Sequence, residues 1–218
     1  MQKTLQSILD DIGAYVDQDT TTPTGVELTT RINFVNQSLT EWGESYQWAQ
    51  LRVLSNLTFS FSGTSFALPT NFKKLMSFPT DVSQNTDNQY IQIKPQDRLS
   101  YPSLNKYCYI IGDDSAGRAL VLNPPLASGA SIAFDFQSYP SSLATLTDIS
   151  VCPQPDYLVK RSIAYVLEAR SDTRFPQVKQ DADVILQKMI EEENAPSQAE
   201  INRIPYWKNQ RNFVIGED

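Results

Sequence analysis

Apolar residues recur at Leu5, Ile8, Leu9, Ile12, Tyr15 and Val16, a helical spacing that predicts an amphipathic helix over about residues 2–17. The polar run DQDTTTPTG (17–25) ends it. Thr24 followed three residues later by Glu27 has the pattern of a capping box, each side chain satisfying a backbone N–H at a helix start. The helix that follows carries Leu28, Ile32, Val35, Leu39, Trp42 and Tyr46 in alternating steps of four and three. That is the narrow stripe of one helix packed along another, and it is the strongest periodic signal in the chain.

After Trp48 the period becomes two. Val53, Ser55, Leu57, Phe59 and Phe61 fall on one face, and SGT at Ser62–Thr64 reads as a hairpin turn leading into SFALP. Further strands are predicted at Lys74–Phe78, Gln89–Ile93, Lys106–Ile111, Ala119–Leu122 and Ser131–Gln137. GDDSAGR (112–118) has the residues of a hairpin tip, Asp113 and Asp114 included. Short strands punctuated by Pro, Gly, Asn and Ser predict a small antiparallel sandwich or barrel.

The helical period returns at Pro155, which suits a first helical turn, with Leu158, Ile163, Ala164 and Leu167 behind it. SDTRFP connects to a helix starting at Pro176, with Val178, Ala182, Ile185, Leu186, Met189 and Ile190 on its inner face. EEENAPSQAE ends that helix. The fold class is therefore α+β: a four-helix body with an inserted antiparallel β-sandwich or barrel and an extended C-terminal tail. The divisions are 1–50, an N-terminal helical pair; 51–150, the β module; 151–195, the closing helical pair; and 196–218, the tail. Trp42, Tyr46 and Trp48 lie where helix hands over to strand. They read as a structural hinge, since each buried ring contributes on the order of 1.5–3 kcal/mol by desolvation; the competing reading is a ligand-binding aromatic patch.

Composition narrows the function. The chain has 218 residues with 40% hydrophobic and 20% charged, enough to bury a core without metal or disulfide. Eighteen Lys and Arg stand against 25 Asp and Glu, a net charge of -7, which argues against a protein that grips nucleic acid. The two cysteines, Cys108 and Cys152, form no CxxC pattern and are expected as thiols in a reducing cytoplasm. Asp10 and Asp11 interrupt the N-terminal stretch before a signal-peptide core could form, and no apolar run approaches a membrane span.

Histidine is absent, which removes Ser-His-Asp and Cys-His catalysis and histidine-rich metal sites. No Gly-rich phosphate loop occurs. Asp17 and Asp19 lack the glycine and distal glutamate of a calcium loop. Asp181 and Asp183 read as charges near a helix start, and Glu191, Glu192 and Glu193 as a solvated run. The sequons at Asn36 and Asn56 fall in predicted core elements and read as chance. No catalytic residue, cofactor or metal is expected, which leaves a structural or interaction role. The segment IPYWKNQRNF supplies the strongest interaction candidates. Ile204, Tyr206, Trp207 and Phe213 have no partner element of their own, while Arg203, Lys208 and Arg211 make the stretch locally positive. Tyr, Trp and Arg dominate binding hot spots, so these seven residues either dock on a neighbouring chain or fold back on their own subunit.

Three stretches carry a family resemblance: RINFVNQSLTEWGESYQW (31–48), FALPTNFKKLMSF (66–78), and PQPDYLVKRSIAYVLEARSDTRFPQVKQDADVILQKMIEEE (153–193). Their order resembles that of the head-to-tail adaptors of tailed bacteriophages, notably the tail tubular protein A or gatekeeper group, over about residues 2–195. The resemblance implies a ring, usually dodecameric, that docks on the portal protein after DNA packaging and offers a platform to the tail or nozzle protein. It places the protein in the virion neck, with genomic DNA passing through without sequence-specific binding. It also implies that a terminal segment reaches the portal, for which Ile201–Ile215 is the candidate here. The alternative is a non-enzymatic binding module of the particle, recognising carbohydrate or a receptor through Tyr90, Tyr101, Tyr107 and Tyr109. A glycosidase acting through carboxylates alone is the third and least supported reading.

Overall fold

The computed structural model describes residues 2–58, 63–83, 88–101, 105–113 and 117–195. Among them the helices are α1 (Leu5–Val16), α2 (Gly25–Ser45), α3 (Pro155–Ala169) and α4 (Phe175–Asn194). The strands are β1 (Arg52–Thr58), β2 (Gly63–Ala67), β3 (Phe72–Leu75), β4 (Thr80–Asp81), β5 (Ile91–Gln92), β6 (Tyr107–Asp113), β7 (Gly117–Leu126) and β8 (Ser131–Ser138). The class is α+β, with two helices before the strands and two after, as the periodicity predicts. Among the described residues no helix is long and apolar enough to cross a membrane.

Helix α1 begins where Thr4 accepts a hydrogen bond from the Ser7 backbone N–H at 3.3 Å. The unpaired N–H groups of its first turn are met by an irregular segment, Leu5 N donating to Asp148 O and Gln6 N to Leu146 O, at 2.8 and 3.0 Å. Its Leu5, Ile8, Leu9 and Ile12 are fully buried. Helix α3 is buried on nearly every side, including Tyr157, Leu158, Val159, Ile163, Val166 and Leu167, and it packs against α1, α2 and α4. It is the spine of the helical core. Helix α4 adds Val178, Ala182 and Met189, with Ile185, Leu186 and Ile190 partly covered.

Helix α2 turns its predicted stripe to the helical core but buries polar residues alongside it. Its buried residues are Arg31, Val35, Ser38, Leu39, Trp42 and Gly43, while Leu28 and Ile32 are only half-buried. Ser38 is accommodated because its hydroxyl donates to Phe34 O at 2.8 Å and lies 3.1 Å from the Ser162 hydroxyl of α3. The expected capping box is not formed. Thr24 is the N-cap but makes no side-chain cap bond, and Gly25, with φ 62°, brings the chain in at an angle that such a box does not use. Glu27 turns to arginine instead.

The strands form two sheets. One runs β1-β8-β3, with β4 also on β8; the other runs β2-β7-β6-β5. Phe66, Cys108, Leu120 and Leu122 of the second sheet share a core with Phe72, Ile132, Phe134 and Phe136 of the first. The arrangement is sandwich-like but mixed, because β5 pairs with β6 in parallel. The hairpin expected at Ser62–Thr64 does not exist: β1 and β2 belong to different sheets, and Gly63 and Thr64 are already in β2. Phe59–Ser62 lie outside the described residues. The partner of β1 is β8, whose Phe134 and Phe136 lie opposite Ser55 and Val53. A strand lined with buried phenylalanines offers β1 more apolar contact than the short β2 would. The GDDSAGR hairpin is present, with Asp113 opposite Gly117, and 114–116 lie outside the described residues.

Tyr139–Val151 has neither helix nor extended strand and lies along the helices. Asn36 of α2 grips it twice, Nδ2 donating to Leu143 O at 2.9 Å and Oδ1 accepting from Leu143 N at 2.8 Å. Leu143 and Cys152 belong to the helical core.

Candidate functional site

The ten residues from Trp42 to Leu51 join the two cores. Trp42 and Trp48 stack with ring centroids 5.1 Å apart, and the Trp48 indole N–H donates to the Trp42 carbonyl at 2.6 Å. Tyr46 meets Trp48 edge-on at 5.4 Å. Both tryptophans are sunk in the helical core, at 0% and 2% exposure, so neither offers a face to a ligand. Three side chains from the first sheet reach across. Lys73 Nζ donates to Gly43 O at 2.8 Å, Gln137 Nε2 to Tyr46 O at 2.8 Å, and Ser138 Oγ to Leu51 O at 3.1 Å. Two of these acceptors lie in the last turn of α2 or at its C-cap, where carbonyls lack helical partners. From the other side, Glu193 of α4 accepts the Ala49 backbone N–H at 2.9 Å, and the Tyr46 hydroxyl donates to Asn194. The expected solvated run Glu191–Glu193 thus includes two clamps, since Glu192 also accepts from Gln154 Nε2 at 3.0 Å.

A second constellation closes the helix ends. Arg31, 5% exposed, pairs with both Asp17 and Glu27, and Arg170 at the end of α3 contacts the same two carboxylates at 2.7 and 3.5 Å. Burial works to raise the Asp17 pKa, but hydrogen bonds and charge from Arg170 and Arg31 outweigh it and hold the carboxyl below its ordinary range. Asp19, weighed with Asp17 as a cation site, accepts from the Thr21 backbone N–H at 2.8 Å. Asp181 and Asp183 lie well inside α4, away from its start. They face Lys160 and Arg161 of α3 at 3.8 and 3.6 Å, so pairing with α3 cations accounts for both. Arg161 also binds Glu41 at 2.7 Å, and Glu41 accepts from the Tyr165 hydroxyl. Among the described residues no group of three or more His, Cys, Asp or Glu side chains is arranged to hold a metal ion. A groove of about 500 Å³ between the cores is lined by Leu51, Asn71, Ser138 and Leu143 among others. Its one lining carboxylate, Asp148, accepts from Ala144 N and Thr145 N at 2.7 and 2.8 Å. Cys108 and Cys152 are both buried thiols, pushed up to about 12 by that burial.

The four tyrosines of the alternative reading do not form one platform. Tyr90 is in the β core at 2% exposure, its hydroxyl donating to Pro124 O at 3.2 Å. Tyr107 is covered by Tyr101, ring centroids 5.5 Å apart, while Tyr109 stacks behind it at 6.4 Å. The tail candidates Arg203, Ile204, Tyr206, Trp207, Lys208, Arg211 and Phe213 lie outside the described residues. Sequence reasoning missed Arg31, Lys73, Gln137 and Glu193 as joining residues. Only the Glu27–Arg31 spacing of four carried a signal.

The SU10 adaptor protein family matches residues 3–205, a span that includes all four helices and both sheets. The chain belongs to the SU10 adaptor protein family. It is a phage structural adaptor, and membership implies partners of the portal and tail kind. No protein of curated function matches the sequence. The match takes in Arg203 and Ile204, whereas Tyr206, Trp207, Lys208, Arg211 and Phe213 fall beyond it.

Proposed function

We propose that this SU10-family adaptor is a ring-forming neck protein of the tail tubular protein A or gatekeeper kind, joining portal to tail. The observation that carries the reading is the family match across residues 3–205. Each copy stands beside the next through heterologous contacts, which close a ring when the rotation per copy divides the circle. The ring is dodecameric, docks on the portal after DNA packaging and presents the β module to the tail or nozzle protein. Genomic DNA passes through its centre, where an acidic protein of net charge -7 repels phosphate instead of gripping it. Trp42, Tyr46 and Trp48 hold the angle between helical body and β module, and the links from Lys73, Gln137 and Glu193 to this junction support that role. The tail residues Arg203, Ile204, Tyr206, Trp207, Lys208, Arg211 and Phe213 make contact with the portal or a neighbouring copy. Removal of Asn202–Asp218 is expected to leave the circular dichroism and the unfolding midpoint unchanged while abolishing co-sedimentation with the portal. Normal co-sedimentation of the shortened chain would remove the tail from this role.

A further inference from the structure

The two sides of the β module differ in how they treat their open edges. On one side are β1 and β2, consecutive in the chain and each at the end of its sheet, with no described strand on the outer flank. β1 runs for seven residues with a single charge, Arg52, which is paired with Asp135. β2 contains no charge and no proline. On the opposite side β3 carries Lys73 and Lys74, β4 and β5 are two residues each, and Lys94 and Pro95 follow β5 closely. Lysine, proline and short length are what guard an edge against strand addition, and the β1 side lacks all three. Val53 and Leu54, on opposite faces of β1, are 37% and 77% exposed. An added strand would cover both, because neighbours on each face lie within contact range.

We infer that the open edge of β1 receives the C-terminal segment Ile201–Ile215 of an adjacent copy, by strand addition. The inference rests on the ring reading. Three observations select this occupant. The end of α4 is pinned beside the start of β1, since Glu193 accepts from Ala49 N and Asn194 from Tyr46. Ala195, the last described residue, therefore lies near the start of β1, with 23 residues still to follow it in the sequence. Extended, they reach about 75 Å, several times the length of β1, which is enough to span to a neighbour. Ile201–Ile215 contains Arg203, Lys208 and Arg211 and no acid, on a chain of net charge -7. It thus brings opposite charge to the end of α4, which carries Glu191, Glu192 and Glu193. Its end, Phe213-Val214-Ile215, is made of strand-forming residues.

The test is disulfide trapping on the portal. Leu54→Cys is combined in turn with Phe213→Cys, Val214→Cys and Ile215→Cys, each variant is assembled on portal and oxidised with glutathione disulfide. Opposed residues of paired strands lie close enough for a disulfide, and the native thiols are buried. A ladder of cross-linked chains that needs both cysteines supports the inference. A cross-link within single chains, or rings seen by microscopy without any cross-link, overturns it and leaves the adaptor reading standing. No ring on the portal overturns both. In parallel, Leu54→Lys is expected to weaken association between copies about tenfold with an unchanged circular dichroism spectrum. Unchanged association would count against the inference.

Discussion

At the scale of single residues, the junction is held by Trp48, which stacks on Trp42 and donates to its carbonyl. Trp48→Ala is expected to lower stability by about 3–5 kcal/mol, read from urea unfolding, because both the apolar contact and the space it fills are lost. A loss below about 1 kcal/mol would mean the stack does not hold the junction. The helix-end cluster gives a pH dependence of definite sign. Asp17 has a folded pKa depressed below the unfolded carboxylate value of about 4. Its contribution is therefore complete above that unfolded value and is lost as pH falls through the lower folded one. Acid unfolding of the wild type should thus show a component in that window that Asp17→Asn lacks. Sequence reading named the tryptophans because large aromatics at a change of period announce themselves. It passed over Arg31 because a charge on a helix reads as solvated, and only the fold sets two carboxylates and a second arginine around it.

At the scale of elements, the β6–β7 hairpin depends on Gly112. Its φ of 87° is left-handed, and a Cβ there would run into the Gly117 carbonyl oxygen. Gly112→Ala is expected to cost roughly 1–3 kcal/mol and to raise amide exchange along Tyr107–Asp113 and Gly117–Leu126. Exchange unchanged from wild type would show that the hairpin tolerates the residue. All four helices were legible because their apolar spacing persists over twelve or more residues in each. Strand pairing was not. β1 resembles the first arm of a local hairpin, yet it pairs with β8 far along the chain, and nothing in either sequence specifies so distant a partner. β7 runs on through Pro124 and Pro125 to Leu126, where two prolines signal an end to anyone reading the residues alone.

At the scale of the whole molecule, a helical core and a β core meet at one short junction, and the first and last helices close around a single central helix, α3. The order of elements made the adaptor resemblance readable from sequence, and the match across residues 3–205 gives it the standing of a family. The contacts proposed for the C-terminal segment are readable only as residue types, because aromatic and cationic character says what a segment could grip and not where. Electron microscopy of the purified chain mixed with the portal of its own phage tests the central claim most directly. The account predicts one added ring of identical copies on the portal, coaxial with its channel. Portal particles that stay bare, or that carry the chain as scattered single copies, would contradict it.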